Sequence, residues 1–190
     1  MDVSRGIQGE ADMSEEYGFK ELTVENWREA DPTTQVFGNA TGDEARVLKV
    51  GDDWARRILA IKLPERVPFD IRSLFEVAKG TMLYGYFFYP IFTLASQQLH
   101  RITEAAVNDT YKRLGGPVSK GTSMNKKLDF LQGRGLIRVE GRTVWNLIWI
   151  VRNLGSHPNR QDITMPTTAV SSLTLIANMI QSLYPEEEGK

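Results

Sequence analysis

Apolar residues recur at steps of three and four from Ile71 to Leu183, the spacing that lines one side of a helix rather than one face of a strand. Asp70 or Ser73 stands where a cap would open a segment running to about Tyr89. Gly80 and Gly85 weaken that segment by roughly 1 kcal/mol each relative to Ala. Pro90 then either kinks the segment or opens a new helix from a first-turn position. The next run places Ile91, Ala95, Leu99, Ile102 and Ala106 on one face and stops at Gly115-Gly116-Pro117. Ser123 is placed to cap a short helix with Met124, Leu128 and Leu131 inward, ended by Gly133. Residues 134–142 predict a basic turn or small hairpin around Glu140-Gly141. The most apolar run, Val144–Val151, predicts a helix that ends at Gly155 or Ser156, because Pro158 disfavours helix at His157. Pro166 suits the first turn of a last helix, with Ala169, Leu173, Ile176, Ile180 and Leu183 on one face and Pro185 at its end. Four or five helices with short connections predict an all-α bundle over residues 71–185, followed by an acidic tail at 186–190.

The first 70 residues lack that regularity and predict an N-terminal arm or small subdomain of mixed or irregular structure. Residues 1–42 are rich in Gly, Glu, Asp, Thr and Asn, with a short helix expected around Val24–Ala30 and ended by Pro32. Val47, Leu48 and Val50 suit a short strand or a short helix equally. Asp53–Ile61 forms a further short element, closed by Pro64 and Pro68.

Composition narrows the chemistry. With 41% hydrophobic and 25% charged residues among 190, the chain reads as a soluble globular protein long enough for one domain with a real core. The absence of cysteine excludes disulfides, thiolate metal sites and a cysteine nucleophile. Two histidines, His100 and His157, without carboxylates at ligand spacing, leave no metal motif, and no cofactor is expected. A polar N-terminus and the lack of any apolar run near the roughly 20 residues of a membrane span predict a cytoplasmic location with no membrane partner. Charge is divided. Residues 1–70 carry 15 acidic and 9 basic side chains, residues 71–190 carry 9 and 14, so the helical part is the one suited to a polyanion.

At the end of the apolar helix stands Arg152-Asn153-Leu154-Gly155-Ser156-His157. Arg is a permanent cation that can fork onto a phosphate, and His exchanges protons near neutrality, a pairing suited to phosphodiester chemistry without a metal. On a helical projection Val144, Leu147, Ile148, Val151 and Leu154 form one stripe, leaving Trp145 and Trp149 on the other side with Arg152 and Asn153. Two tryptophans there predict either a contact with a second copy of the chain or cover by another layer of the same chain. Neither Gly115-Gly116 nor Gly133-Arg134-Gly135 has the spacing of a phosphate loop, and Gly155-Ser156-His157 lacks the setting of a serine-hydrolase elbow.

Arg, a polar residue, three more residues and His at the end of a bundle helix resembles the R-x4-6-H motif of the HEPN superfamily of small four-helix domains. The resemblance spans about residues 71–184. It takes in Gln97-Gln98-Leu99-His100-Arg101 on the long helix, Lys126-Lys127-Leu128-Asp129-Phe130-Leu131 on the short one, and the motif helix. It implies a HEPN-like bundle acting as a dimeric, metal-independent endoribonuclease, possible settings being a toxin or phage-defence effector held by an antitoxin or other regulatory protein. His157 is then the general acid or base at the ribose 2′-hydroxyl, Arg152 holds the scissile phosphate, and Asn153 orients His157 or the phosphate. The alternative is a non-catalytic HEPN-like module that binds nucleotide or RNA, or that dimerises. Lys126, Lys127, Arg134, Arg138, Arg142 and Arg160 are candidates for an RNA-binding rim or simply a solvated basic surface. His100 reads more readily as a polar residue paired with Glu104 one turn on than as a second catalytic group.

Overall fold

The structure, a computed structural model, describes residues 19–34, 51–117, 121–155 and 164–186, with residue 147 and residues 149–155 described as backbone only. Every regular element among them is helical: α1 (Asp52–Ala60), α2 (Phe69–Tyr84), α3 (Ile91–Arg113), α4 (Met124–Gly133), α5 (Val139–Gly155) and α6 (Pro166–Leu183). The predicted all-α class holds. The undecided element near Asp53 is a helix, and Val47, Leu48 and Val50 lie outside the described residues.

Helix α3 is the axis of the bundle, packed against α2, α6, α4 and α5. Its buried positions are accordingly not one stripe: Phe92, Ala95, Leu99, Ile102 and Ala106 are joined by Thr103, Val107, Thr110 and Tyr111. Ile91, expected inward, gives way to Phe92, which is fully buried. The α6 positions Ala169, Leu173, Ile176, Ile180 and Leu183 are all buried, as the spacing requires. The core also draws on residues before 71, since Trp54, Ile58 and Val67 belong to the same cluster as Phe75 and Phe92. Trp54 donates from Nε1 to the carbonyls of Met82 and Leu83 at 3.3 and 3.2 Å, so its indole pairs acceptors that the end of α2 would otherwise leave open.

Chain reversals follow local chemistry. At the end of α3, Gly115 takes φ +75, with Gly116 N–H on the Tyr111 carbonyl and Gly115 N–H on that of Lys112. At the end of α4, Gly135 takes φ +77, with Leu136 N–H on Leu131 and Gly135 N–H on Gln132. Both are Schellman turns, which need a residue that tolerates left-handed backbone. Of the turn or small hairpin expected over 134–142 the turn is the one found, but it lies at Gly135 and not around Glu140-Gly141: the chain is helical again from Val139, with Gly141 inside α5. Ser123 caps α4 as predicted, accepting from Lys126 N–H. Helix α2 opens instead on Pro68, with Asp70 inside its first turn and no side-chain cap, and closes at Tyr84 rather than near Tyr89.

The arm between Phe19 and Thr34 is attached to the corner between α2 and α3 of its own chain. Asp31, fully buried, accepts from Tyr89 N–H at 2.8 Å and from Thr33 N–H at 2.9 Å, while its own N–H donates to the Tyr86 carbonyl. Thr34 donates to the Gly85 carbonyl at 3.1 Å and Lys20 to that of Phe87 at 3.1 Å. Polar backbone at a corner needs partners, and this arm supplies them. The helix expected at Val24–Ala30 is a run of turns, organised by Thr23 and Asn26, and helical backbone begins at Pro32 rather than ending there.

Candidate functional site

Helix α5 begins against α4 and ends at Gly155. Arg142, in its first half, donates to Asp129 Oδ1 at 2.7 Å and to the Asn125 carbonyl at 3.3 Å. Three residues on, Trp145 is 5% exposed and belongs to the core. Of the two alternatives for this side chain, cover by another layer of the same chain is the one observed, since residues of α3 and α4 lie against it. Trp149, the other candidate for a dimer contact, is described as backbone only. Arg152 and Asn153 occupy the last turn of α5, where backbone alone is described, and His157 and Arg160 lie outside the described residues. The chain re-enters at Thr164, whose N–H donates to Thr93 Oγ1 at 3.2 Å near the start of α3, and Met165 Sδ accepts from the Tyr89 hydroxyl at 3.3 Å. Burial, with the Asp31 carboxylate beside it, raises the Tyr89 pKa and keeps that hydroxyl protonated.

The basic rim divides into two kinds of residue. Lys127 donates to Asn108 Oδ1 at 2.6 Å and Arg142 pairs with Asp129, so these two tie α4 to α3 and to α5. Lys126, Arg134 and Arg138 are exposed and form no ion pair among the described residues. The Arg134 guanidinium lies 4.8 Å from the Phe130 ring centre, and Phe130 meets Tyr111 edge-on at 4.9 Å. The stack holds one cation planar and accessible at the α4 turn.

Sequence reading paired His100 with Glu104 on α3 but passed over Ser96, one turn earlier on the same line. Ser96, His100 and Glu104 follow one another at steps of four, a spacing visible in the sequence but outweighed there by the apolar repeat. His100, Thr103 and Glu104 surround a void of about 10 Å³ together with Met124, Leu128, Trp145 and Ile148, so this side of α3 looks onto α5. The Ser96 hydroxyl oxygen is buried without a hydrogen-bond partner among the described residues. Such a group costs on the order of 1–3 kcal/mol in a folded chain.

No group of three or more His, Cys, Asp or Glu residues suited to a metal ion occurs among the described residues, and no described helix is long and apolar enough to cross a membrane. Compared with known proteins, the chain matches no family model, no curated protein and no solved structure.

Proposed function

We propose that this protein is a metal-independent endoribonuclease of the HEPN kind. The observation that carries the reading is the placement of the motif: an apolar helix ending at Gly155, with Arg152 and Asn153 in its last turn and His157 two residues beyond, followed by one more core helix. A long helix and a short one precede it in the order that the resemblance requires.

The chemistry asks little else. His157 takes the proton of the ribose 2′-hydroxyl, the 2′-oxygen attacks the adjacent phosphorus, and the bond to the 5′-oxygen breaks as that oxygen receives a proton. The products are a 2′,3′-cyclic phosphate and a 5′-hydroxyl. Arg152 holds the phosphate and offsets the charge that grows on it, and Asn153 orients the reacting groups. RNA brings its own nucleophile, which DNA lacks. A second copy supplies the second imidazole, one accepting a proton as the other gives one. A nuclease of this kind needs restraint in the cell, which suits a toxin or defence effector with a regulatory partner.

Cleavage of a labelled oligoribonucleotide in EDTA tests the proposal. The wild-type chain cleaves it, and His157→Ala loses about 10²–10⁴-fold in rate without losing its fold, the range expected of a general acid or base. Binding without cleavage by either protein identifies a non-catalytic module and ends the nuclease reading.

A further inference from the structure

The turn that ends α4 carries an aromatic ring with a guanidinium held over it. The support begins in the core. Tyr111 is 6% exposed and donates from its hydroxyl to the Pro117 carbonyl at 2.9 Å. Gly116 stands so close that a Cβ there would fall 2.5 Å from the Tyr111 ring, which therefore has little freedom to turn. Phe130 meets that ring edge-on at 4.9 Å, and the Arg134 guanidinium lies over Phe130, 4.8 Å from the ring centre. Phe130 and Arg134 are four residues apart at the end of α4, and the Arg134 N–H donates to the Phe130 carbonyl, so the backbone fixes the pair as well. Phe130 covers one face of the guanidinium. The rest of the side chain is exposed and forms no ion pair among the described residues. Lys126 and Arg138, the other free cations of the rim, meet no ring among the described residues. On either side of Arg134 in the chain, Gly133 and Gly135 line an open groove with Ile137, Arg138 and Val139, and Val139 is 70% exposed. A Cβ added to either glycine meets nothing within 4 Å, so the backbone there is open to close approach.

We propose that the outer face of the Arg134 guanidinium is a stacking platform for one nucleobase of a single strand. A guanidinium is flat and weakly hydrated, and its N–H groups all lie in its plane. Its face suits a base and its edge suits a phosphate. A carboxylate partner would use the edge and gain nothing from the ring beneath. The ring removes motion that a free Arg side chain would lose on binding, so the platform is ordered before the base arrives. A base on the face, a phosphate at the edge and Arg138 in the adjoining groove for the next phosphate make a site for a strand rather than for a lone anion. The inference rests on the polynucleotide part of the reading above and not on its cleavage chemistry.

Two DNA strands of equal length, one of thymidylates and one abasic, give the test. They carry the same phosphates, and neither has the 2′-hydroxyl that cleavage needs. By fluorescence anisotropy over a range of salt, the wild-type chain binds the thymidylate strand about tenfold more tightly than the abasic one. Arg134→Lys keeps the charge and loses the plane. It binds the two strands within about threefold of each other, with the slope of log affinity against log salt unchanged. Arg134→Gln loses the preference too, and its slope falls by about 0.7. A tenfold preference kept by Arg134→Lys overturns the platform, as does a wild-type chain that binds both strands alike or neither. RNA cleavage in EDTA beside any of those results leaves the nuclease reading standing. A preference lost in Arg134→Lys, from a wild-type chain that cleaves no RNA, keeps the platform and removes the nuclease.

Discussion

Gly85 and Gly80 show how one residue type does opposite things on one helix. A Cβ built on Gly85 falls 2.7 Å from two carbons of the Phe92 ring, which is itself fully buried and edge-on to Trp54 at 5.4 Å. The ring has no room to withdraw. Gly85 sits in right-handed helical backbone at φ −56, so Ala there suffers no backbone strain and the whole penalty is overpacking. Gly85→Ala is expected to destabilise by about 1–3 kcal/mol, read by chemical or thermal unfolding. Gly80 lies inside α2 with nothing within 4 Å of its added Cβ. Gly80→Ala is expected to stabilise by about 0.5–1 kcal/mol, since the glycine only adds freedom to the unfolded chain. From sequence both positions looked like equal weaknesses of one helix. The distinction depends on a ring from the next helix, which no local pattern reveals. Trp145 is a related case: projection on one helix left two alternatives for it, and only the assembled α3 and α4 decide between them.

Helix periodicity was legible wherever one face alone is buried. The α6 stripe is the clearest case, with every predicted position inward, and α4 with its Ser123 cap is another. Legibility fell at α3, buried on several sides, and after α4, where a turn or small hairpin was expected around Glu140-Gly141 and the turn is made at the left-handed Gly135. The end of α6 carries chemistry that only the assembled elements show. The Tyr184 hydroxyl donates to Asp109 Oδ2 at 2.9 Å, Arg113 lies over the Tyr184 ring, and Arg113 and Arg66 donate to the carbonyls of Leu183 and Tyr184. Burial first, then the bond to Asp109 and its charge, raise the Tyr184 pKa well above its ordinary value of 10.0. The folded chain thus holds a proton that the unfolded chain sheds. The stabilisation is complete below pH 10 and is lost as pH climbs past it. Tyr184→Phe is expected to melt at a lower temperature near neutrality, for want of the bond to Asp109, and to lose less further stability between about pH 10 and 11 than wild type. Melting curves across that range check the sign.

For the whole molecule the question is where a polyanion would lie. The sequence located excess positive charge in residues 71–190 and named six rim residues, without separating those used in folding from those left over. The structure makes that separation for five of them. Lys127 and Arg142 hold α4 in place, whereas Lys126 is exposed in the first turn of that helix and Arg134 and Arg138 are exposed after its last. The candidate motif stands at the other end of α5, near the start of α3. An RNA strand lying across both would span the length of α5, 17 residues or about 25 Å at 1.5 Å per residue, a distance a few nucleotides cover. Release of condensed counterions gives each phosphate contact to a single strand a slope of about 0.7 in log affinity against log salt. Replacing Lys126, Arg134 and Arg138 together by Gln is expected to weaken binding of single-stranded RNA, to flatten that slope by about 2, and to leave the melting temperature near its wild-type value. Replacing Lys127 and Arg142 by Gln is expected to lower the melting temperature instead, because the Arg142 bonds to Asp129 and the Asn125 carbonyl and the Lys127 bond to Asn108, which dock α4, are lost. An unchanged salt slope for the triple variant would place the RNA path elsewhere on the bundle, even if cleavage in EDTA and its loss in His157→Ala had both been observed.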